Sequence, residues 1–341
     1  MSTMDLTYWL PVIWAVILVA AISIYVILDG FDLGIGMLFA LERDPGRRNV
    51  MVSTIAPVWD GNETWMVLGG AVLYGVFPGA YGTLLPAFYL PIILMLLALI
   101  FRGVAFEFRV MTHGTGRETL WNVGFMLGSG IAAFCQGAIL GGVVQGVKVV
   151  DGAFAGSAFD WLTPFSILCG IAVMCGYALL GATWLIWRTT GVLEASCRRW
   201  ASKLAIGLFL GIIAVSLWTP LLHAPYLRRW TDWPNVVLVL PVPILVAVLG
   251  VLFVRGLRHE HSKGPFLCAL GWFFLCLSGL GITVWPYIVP PGLTLWDVSA
   301  PPSSQLFQLV GTVILLPIIL TYTIYSYRVF RGKVTETDGY H

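Results

Sequence analysis

Long apolar runs separated by short polar connectors dominate the chain. A stretch of about 20 mostly apolar residues is long enough to cross the hydrocarbon core of a bilayer as a helix. Nine such runs occur, near residues 9–40, 53–76, 84–106, 120–146, 163–187, 204–222, 236–254, 265–288 and 306–327. The pattern predicts an all-α polytopic membrane protein of about nine transmembrane helices, forming one integral-membrane domain over residues 1–341. No separate soluble domain, low-complexity tract or obvious internal repeat interrupts it.

Composition agrees: 58% of the 341 residues are hydrophobic and 11% charged, against about a quarter charged in soluble domains. Mean hydropathy is +0.88. A net charge of +2 says little about partners and supports no nucleic-acid binding. The placement of the basic residues says more. Arg43, Arg47 and Arg48 follow the first run; Arg102, Arg109 and Arg117 end or follow the third; Arg188, Arg198, Arg199 and Lys203 follow the fifth. Arg255, Arg258 and Lys263 follow the seventh, and Arg328, Arg331 and Lys333 the ninth, so sixteen of nineteen basic residues share one face. Only Lys148, Arg228 and Arg229 lie on the other. By the positive-inside rule the N-terminus is outside and the C-terminus cytoplasmic, which needs an odd number of spans. The first eight residues lack Lys and Arg, so the basic region of a cleaved signal peptide is missing and the first span is expected to be retained. Two outer connectors, Asp151 to Trp161 and Ile288 to Ser304, read as ordered caps at the headgroup level.

Two segments place acids inside predicted spans, where ionisable groups are costly and usually functional. The first is Asp29-Gly30-Phe31-Asp32-Leu33-Gly34-Ile35-Gly36. Its i, i+3 spacing puts Asp29 and Asp32 on one helical face, while Gly30 and Gly34 form a ridge of small residues that lets another helix come close. The second is Pro57-Val58-Trp59-Asp60-Gly61-Asn62-Glu63-Thr64-Trp65. Asp32 and Asp60 stand eleven and twelve residues from the basic boundary at Arg43 and Arg48, about 16 Å deep in a helix. Two antiparallel neighbours would then bring Asp29, Asp32 and Asp60 to one level, with Glu63 a turn farther out. Arg102, about 10 Å deeper than Arg109, can snorkel or pair with one of these acids. Glu107 and Arg109 read as headgroup-level charges, and Gln136 and Gln145 as interhelical hydrogen-bonding groups. Two readings of the cluster stay open. In one, the acids pair with Arg102, Asn62 or backbone groups and fix packing, with Pro57 loosening the helix start so that Asp60 caps free N–H groups. In the other, they relay protons.

Haem within the bilayer needs axial His or Met ligands. Of the five histidines, His113, His259 and His261 fall in cytoplasmic connectors and His341 is last, leaving only His223 near a span. Metal binding is therefore not expected. Cys135, Cys169, Cys175, Cys268 and Cys276 lie in predicted spans and Cys197 in a cytoplasmic loop; with no C-x-x-C pair they read as small packing residues.

The two acidic segments, together with Phe101-Arg102-Gly103-Val104-Ala105-Phe106-Glu107-Phe108-Arg109, Leu295-Trp296-Asp297 and Ser303-Ser304-Gln305-Leu306, resemble subunit II of the cytochrome bd-type quinol oxidases, especially the cyanide-insensitive branch. The resemblance covers nearly the whole chain. It implies a multi-pass protein of the bacterial cytoplasmic membrane that forms a heterodimer with a homologous, haem-bearing subunit I. That partner would hold two haems b and one haem d together with the quinol site, where oxygen is reduced to water. Subunit II, itself without firmly bound cofactor, would complete the supply of cytoplasmic protons. Asp60 matches the carboxylate expected on that path; Asp29, Asp32, Trp59 and Arg102 match positions near it, and Glu63 a position where other members carry Gln. The resemblance leaves room for a small accessory subunit and for a quinone held as structural filler. A proton-coupled secondary transporter is the alternative, although the Pro57 region has no counterpart in a second, inverted half. A purely structural scaffold is a third reading.

Overall fold

The computed structural model describes residues 3–112, 117–259 and 262–335. His113, His261 and His341 lie outside the described residues. Helix α1 (Thr3–Leu38) leads through a loop into α2 (Pro45–Ser53), α3 (Trp59–Val76) and α4 (Pro78–Met111). There follow α5 (Glu118–Gln145), α6 (Pro164–Arg188) and α7 (Gly191–Leu222), then the short α8 (Ala224–Thr231) and α9 (Asn235–Val239). The chain ends with α10 (Pro241–Arg258), α11 (Gly264–Val284) and α12 (Pro302–Val329). Among the described residues eight segments, one of them formed by α9 and α10 together, are long and apolar enough to cross a membrane.

The ninth expected run differs. The stretch 53–76 is helical only from Trp59, because residues 54–58 form turns around Pro57. What remains, α3, has 18 residues, about 27 Å of helix, with two acids in its first half. The run expected near 204–222 starts earlier, at Gly191, so Arg198, Arg199 and Lys203 ride on α7 rather than in a loop. Cys197, expected in that loop, is instead fully buried on α7.

Contacts tie the basic connectors into one end of the bundle. Arg109 donates to Asn49 on α2 at 2.5 Å and to Asn122 on α5 at 2.6 Å. Arg109, in the last turn of α4, is thus a buried tie between helices. Lys333 donates to the Thr189 carbonyl at 3.0 Å, and Arg188 to the Phe330 carbonyl. At the opposite end both expected caps form small antiparallel hairpins: β1 (Val149–Val150) with β2 (Ala153–Phe154), and β3 (Tyr287–Val289) with β4 (Leu293–Thr294). Asp151 (φ 51°) and Gly152 (φ 77°) make the tight turn of the first, a pair of positive-φ positions that Asp-Gly accommodates readily.

Close packing at glycines draws the helices together. A Cβ at Gly34 would run into the Tyr177 carbonyl oxygen of α6, and one at Gly181 would lie 2.7 Å from the Gly34 carbonyl carbon. The expected small-residue ridge of α1 therefore faces α6. Gly128 of α5 does the same for α4, where its Cβ would stand 2.7 Å from Ala98 O and 3.1 Å from Arg102 Cβ. The main core gathers around stacked Phe31 and Trp184, 4.4 Å between ring centroids. By contrast α12 is almost unburied along its length, with Phe307, Val313, Ile314 and Ile318 turned outward, a surface suited to lipid or to another apolar helix.

Candidate functional site

Tyr25, Asp29 and Asp32 follow one another at i, i+4 and i+7 along α1 and so share a face. Asp29 and Asp32 have no exposed surface at all. Opposite them α4 presents Arg102, itself 1% exposed, whose placement depends on the Gly128 contact described above. Arg102 Nη1 donates to Asp29 Oδ1 at 3.1 Å and to Glu63 Oε1 of α3 at 2.6 Å. One guanidinium nitrogen thus bridges two acids from different helices. Trp59 covers the guanidinium, 5.9 Å from the ring centroid, and packs on Phe106 at 5.1 Å.

Asp32 is held by a different group. Asn62 Nδ2 donates to its Oδ2 at 2.7 Å, and Tyr327 of α12 donates to Asn62 Oδ1 at 2.9 Å. On the other flank Gln136 of α5 joins Tyr25 of α1 to Tyr177 of α6, both at 2.7 Å. Gln136 and Gln145 thus make the interhelical bonds expected of them, Gln145 through the Thr163 hydroxyl at 2.6 Å. Several atoms of the cluster keep no hydrogen-bond partner among the described residues: Asp29 Oδ2, Asp32 Oδ1, and Nε and Nη2 of Arg102.

The structure therefore brings together Asp29, Asp32, Asn62, Glu63 and Arg102, with Trp59 above them. Asp60 stands apart. It lies in the first turn of α3, exposed on the flank of the chain, and it does not cap the helix as the packing reading had it: Val58 is the N-cap and makes no side-chain cap bond. Asp60 and Glu63 are i, i+3 neighbours, so the exposed acid adjoins the half-buried one that touches Arg102. Glu107 is exposed on α4, one turn and a residue beyond Arg102.

Three tyrosines were not foreseen. Tyr25 carried a local signal, since it precedes Asp29 by four residues on the same face. Tyr177 and Tyr327 reach the site from α6 and α12, and nothing in their own neighbourhoods marks them.

His223 Nε2 lies 2.8 Å from the Gln145 carbonyl oxygen at the end of the bundle away from the basic connectors, and its ring packs on Tyr226 at 5.0 Å. Among the described residues no group of three or more His, Cys, Asp and Glu could hold a metal ion. Cys135, Cys169, Cys197 and Cys268 are buried free thiols and Cys175 and Cys276 partly buried ones.

A sequence model of the family described as cytochrome bd terminal oxidase subunit II matches residues 10–330. Cytochrome bd-I ubiquinol oxidase subunit 2 of Escherichia coli (strain K12) is 29% identical to this chain over 361 residues, covering 96% of it and 95% of the relative. Cytochrome bd ubiquinol oxidase subunit 2 of Bacillus subtilis (strain 168) is 26% identical, over 96% and 97%. Among solved structures, a chain of the bd oxidase from Geobacillus thermodenitrificans shares the fold with a TM-score of 0.73 at 18% identity, covering 94% of this chain and 98% of that one.

Proposed function

The chain belongs to the family of subunit II of the cytochrome bd terminal oxidases, and from that premise we propose that it carries protons through its buried acid cluster to a haem-bearing partner. It is a multi-pass protein of the bacterial cytoplasmic membrane and a subunit of a quinol oxidase. The observation that supports proton supply is the charge balance of the cluster. Three carboxyl groups, two of them fully buried, meet a single cation, and among the described residues Asp29 Oδ2 and Asp32 Oδ1 have no hydrogen-bond partner. Protons bound at those oxygens would offset the unmatched charge, and an acid that gains and loses a proton at working pH is a relay.

The path takes in Asp29 and Asp32 and, on α3, Glu63 and the neighbouring Asp60; Arg102 carries no proton itself but holds Asp29 and Glu63 together on one nitrogen. Asp60 and Glu107 are exposed on α3 and α4, and we assign that flank to the partner subunit. The histidines among the described residues do not suit haem. His223 is engaged with a backbone carbonyl at one end of the bundle, and His259 ends α10 at the other. The two haems b, the haem d and the quinol site are accordingly assigned to subunit I, in a heterodimer with this chain as its haem-free half. By the basic-residue bias, protons enter from the cytoplasmic end.

The test is Asp60→Asn in the assembled complex. The reading expects slower quinol-dependent oxygen uptake with an unaltered reduced-minus-oxidised haem spectrum, because the haems sit in the other chain. Full turnover in the assembled variant would remove Asp60 from the path.

A further inference from the structure

Besides Arg102, two arms of side chains reach the acids of α1, and both are built in the same order. In the first, the Tyr177 hydroxyl donates to Gln136 Oε1 and Gln136 Nε2 donates to the Tyr25 hydroxyl, each at 2.7 Å. Having accepted that bond, Tyr25 keeps its own proton to give, and it stands one turn before Asp29 on the same face of α1. In the second, the Tyr327 hydroxyl donates to Asn62 Oδ1 at 2.9 Å and Asn62 Nδ2 donates to Asp32 Oδ2 at 2.7 Å. The orientation of Asn62 is fixed independently, because Nδ2 also donates to the Leu28 carbonyl at 3.3 Å and a carbonyl oxygen can only accept. Each arm therefore runs from a distal tyrosine, through a carboxamide, toward an aspartate.

A carboxamide holds a hydrogen bond on either side but is a poor conductor of protons. To pass one, its nitrogen would have to give up a proton while its oxygen takes another, leaving the unfavourable imidic acid tautomer. A hydroxyl or a carboxyl has no such obstacle. Beyond the amide of the first arm, Tyr177 is buried and stacked on Phe273 at 5.6 Å. Beyond the second, Tyr327 packs edge-on to Trp184 and Phe31.

We propose that Gln136 and Asn62 are positioning residues that aim donor chains at Asp29 and Asp32 and, being unable to relay, close these side branches, so that the titratable continuation from the two aspartates runs to Glu63 and Asp60. The inference rests on the proton-path reading above. It explains why Asp32 has one oxygen held and the other free: the amide takes Oδ2 and leaves Oδ1 for proton exchange.

The experiment compares four variants of the assembled two-subunit complex: Gln136→Met and Asn62→Leu, which remove the amides, and Tyr177→Phe and Tyr327→Phe, which remove only the distal hydroxyls. Quinol-dependent oxygen uptake is measured alongside the infrared C=O stretch of the protonated carboxyls, assigned with Asp29→Asn and Asp32→Asn. Asn62→Leu should lose about tenfold in turnover, the kinetic equivalent of its hydrogen bond to the Asp32 carboxyl, and Gln136→Met, which loses two neutral bonds and with them the placement of Tyr25 beside Asp29, a similar factor; both should shift the carboxyl band. The phenylalanine variants should stay within about twofold, because they lose only a distal neutral bond. Phenylalanine variants as slow as the amide variants would show the arms to be proton wires and overturn the proposal. If an amide variant does not assemble, the phenylalanine variants decide alone: near-normal turnover supports the closed branch and deep loss refutes it. An unmoved carboxyl band in assembled amide variants would refute the aiming role whatever Asp60→Asn does. Unchanged turnover in Asp60→Asn with a shifted band in the amide variants would instead remove the proton path and leave the aiming role standing.

Discussion

Replacing Arg102 with methionine tests how the acid cluster is held in the membrane. The guanidinium is 1% exposed and pairs with Asp29, 0% exposed, at 3.1 Å and with Glu63, 26% exposed, at 2.6 Å. Removing one partner of a buried pair leaves an uncompensated charge and costs about 3–5 kcal/mol. Most of that should fall on Asp29, since Glu63 keeps some access to solvent. Against a total stability of about 5–15 kcal/mol, the loss is large. Complex retained after graded heating, scored as the haem-absorbing peak in gel filtration, should fall off at clearly lower temperature in Arg102→Met than in the wild type. The deficit should shrink in acidic buffer, where a proton can take the place of the missing cation on Asp29. It should also shrink in the double variant Arg102→Met/Asp29→Asn, because replacing a whole buried pair with neutral groups is often nearly neutral. The double variant should nonetheless remain slow in oxygen uptake, which separates holding the cluster from using it. Equal heat resistance of Arg102→Met and the wild type would refute the reasoning.

Two further outcomes follow from parts of the fold away from this cluster. Glu42, 4% exposed in the loop after α1, accepts from the backbone N–H groups of Arg43 and Asp44, both at 2.9 Å, and from Arg47 at 2.8 Å. Burial alone would push its carboxyl up, but the Arg47 guanidinium and the two N–H donors outweigh it and hold the carboxyl below its ordinary value. A depressed folded-state value contributes stability above the unfolded carboxylate range and loses it as pH falls through the folded value. Hydrogen exchange at Arg43 and Asp44 should therefore stay slow at neutral pH and quicken below about pH 4. Glu42→Gln should quicken it at every pH, by about 1–2 kcal/mol of local opening; pH-independent exchange in the wild type would count against the assignment. Gly34→Ala should destabilise the α1–α6 contact by about 1–3 kcal/mol, because its Cβ meets backbone atoms of Tyr177 and Gly181 that no rotamer change can move. Gly70→Ala, with nothing within 4 Å of its Cβ, is the control and should match or exceed the wild type in heat resistance.

The spans were legible because twenty apolar residues in succession have few alternatives to a membrane helix. Sequence could also identify Asp29, Asp32, Glu63 and Arg102, since charged groups in such runs stand out and their helical spacing is fixed. It could not say which helices would meet. Gln136, Tyr177 and Tyr327 come to the cluster from α5, α6 and α12, and that neighbourhood depends on packing at Gly34, Gly128 and Gly181 rather than on chain order. The same gap explains Asp60. Nominal depth put it level with Asp29 and Asp32, but depth does not fix rotation about the helix axis, and the turns at 54–58 start α3 with Asp60 facing outward. The partners of Arg109 are hidden for a related reason, because Asn49 and Asn122 lie on two other helices.

The arrangement weighs against a cluster that serves packing alone. A scaffold needs its buried charges matched, because each unmatched one costs several kcal/mol and contributes no packing in return. One cation and one acid would suffice to pin α1 to α4, and Asn62 could hold α1 to α3 through the Leu28 carbonyl without any aspartate at residue 32. Instead Asp32 is added on the same face, fully buried, with one oxygen unpartnered, and Glu63 is added to an Arg102 nitrogen already bonded to Asp29. The excess acid also has a direction: it continues along α3 from half-buried Glu63 to exposed Asp60, while each of the other branches from α1 passes through a carboxamide. A surplus of proton-binding groups open on one flank and closed on the others has no use in a static pin. It is what the proposed supply of protons across that flank requires.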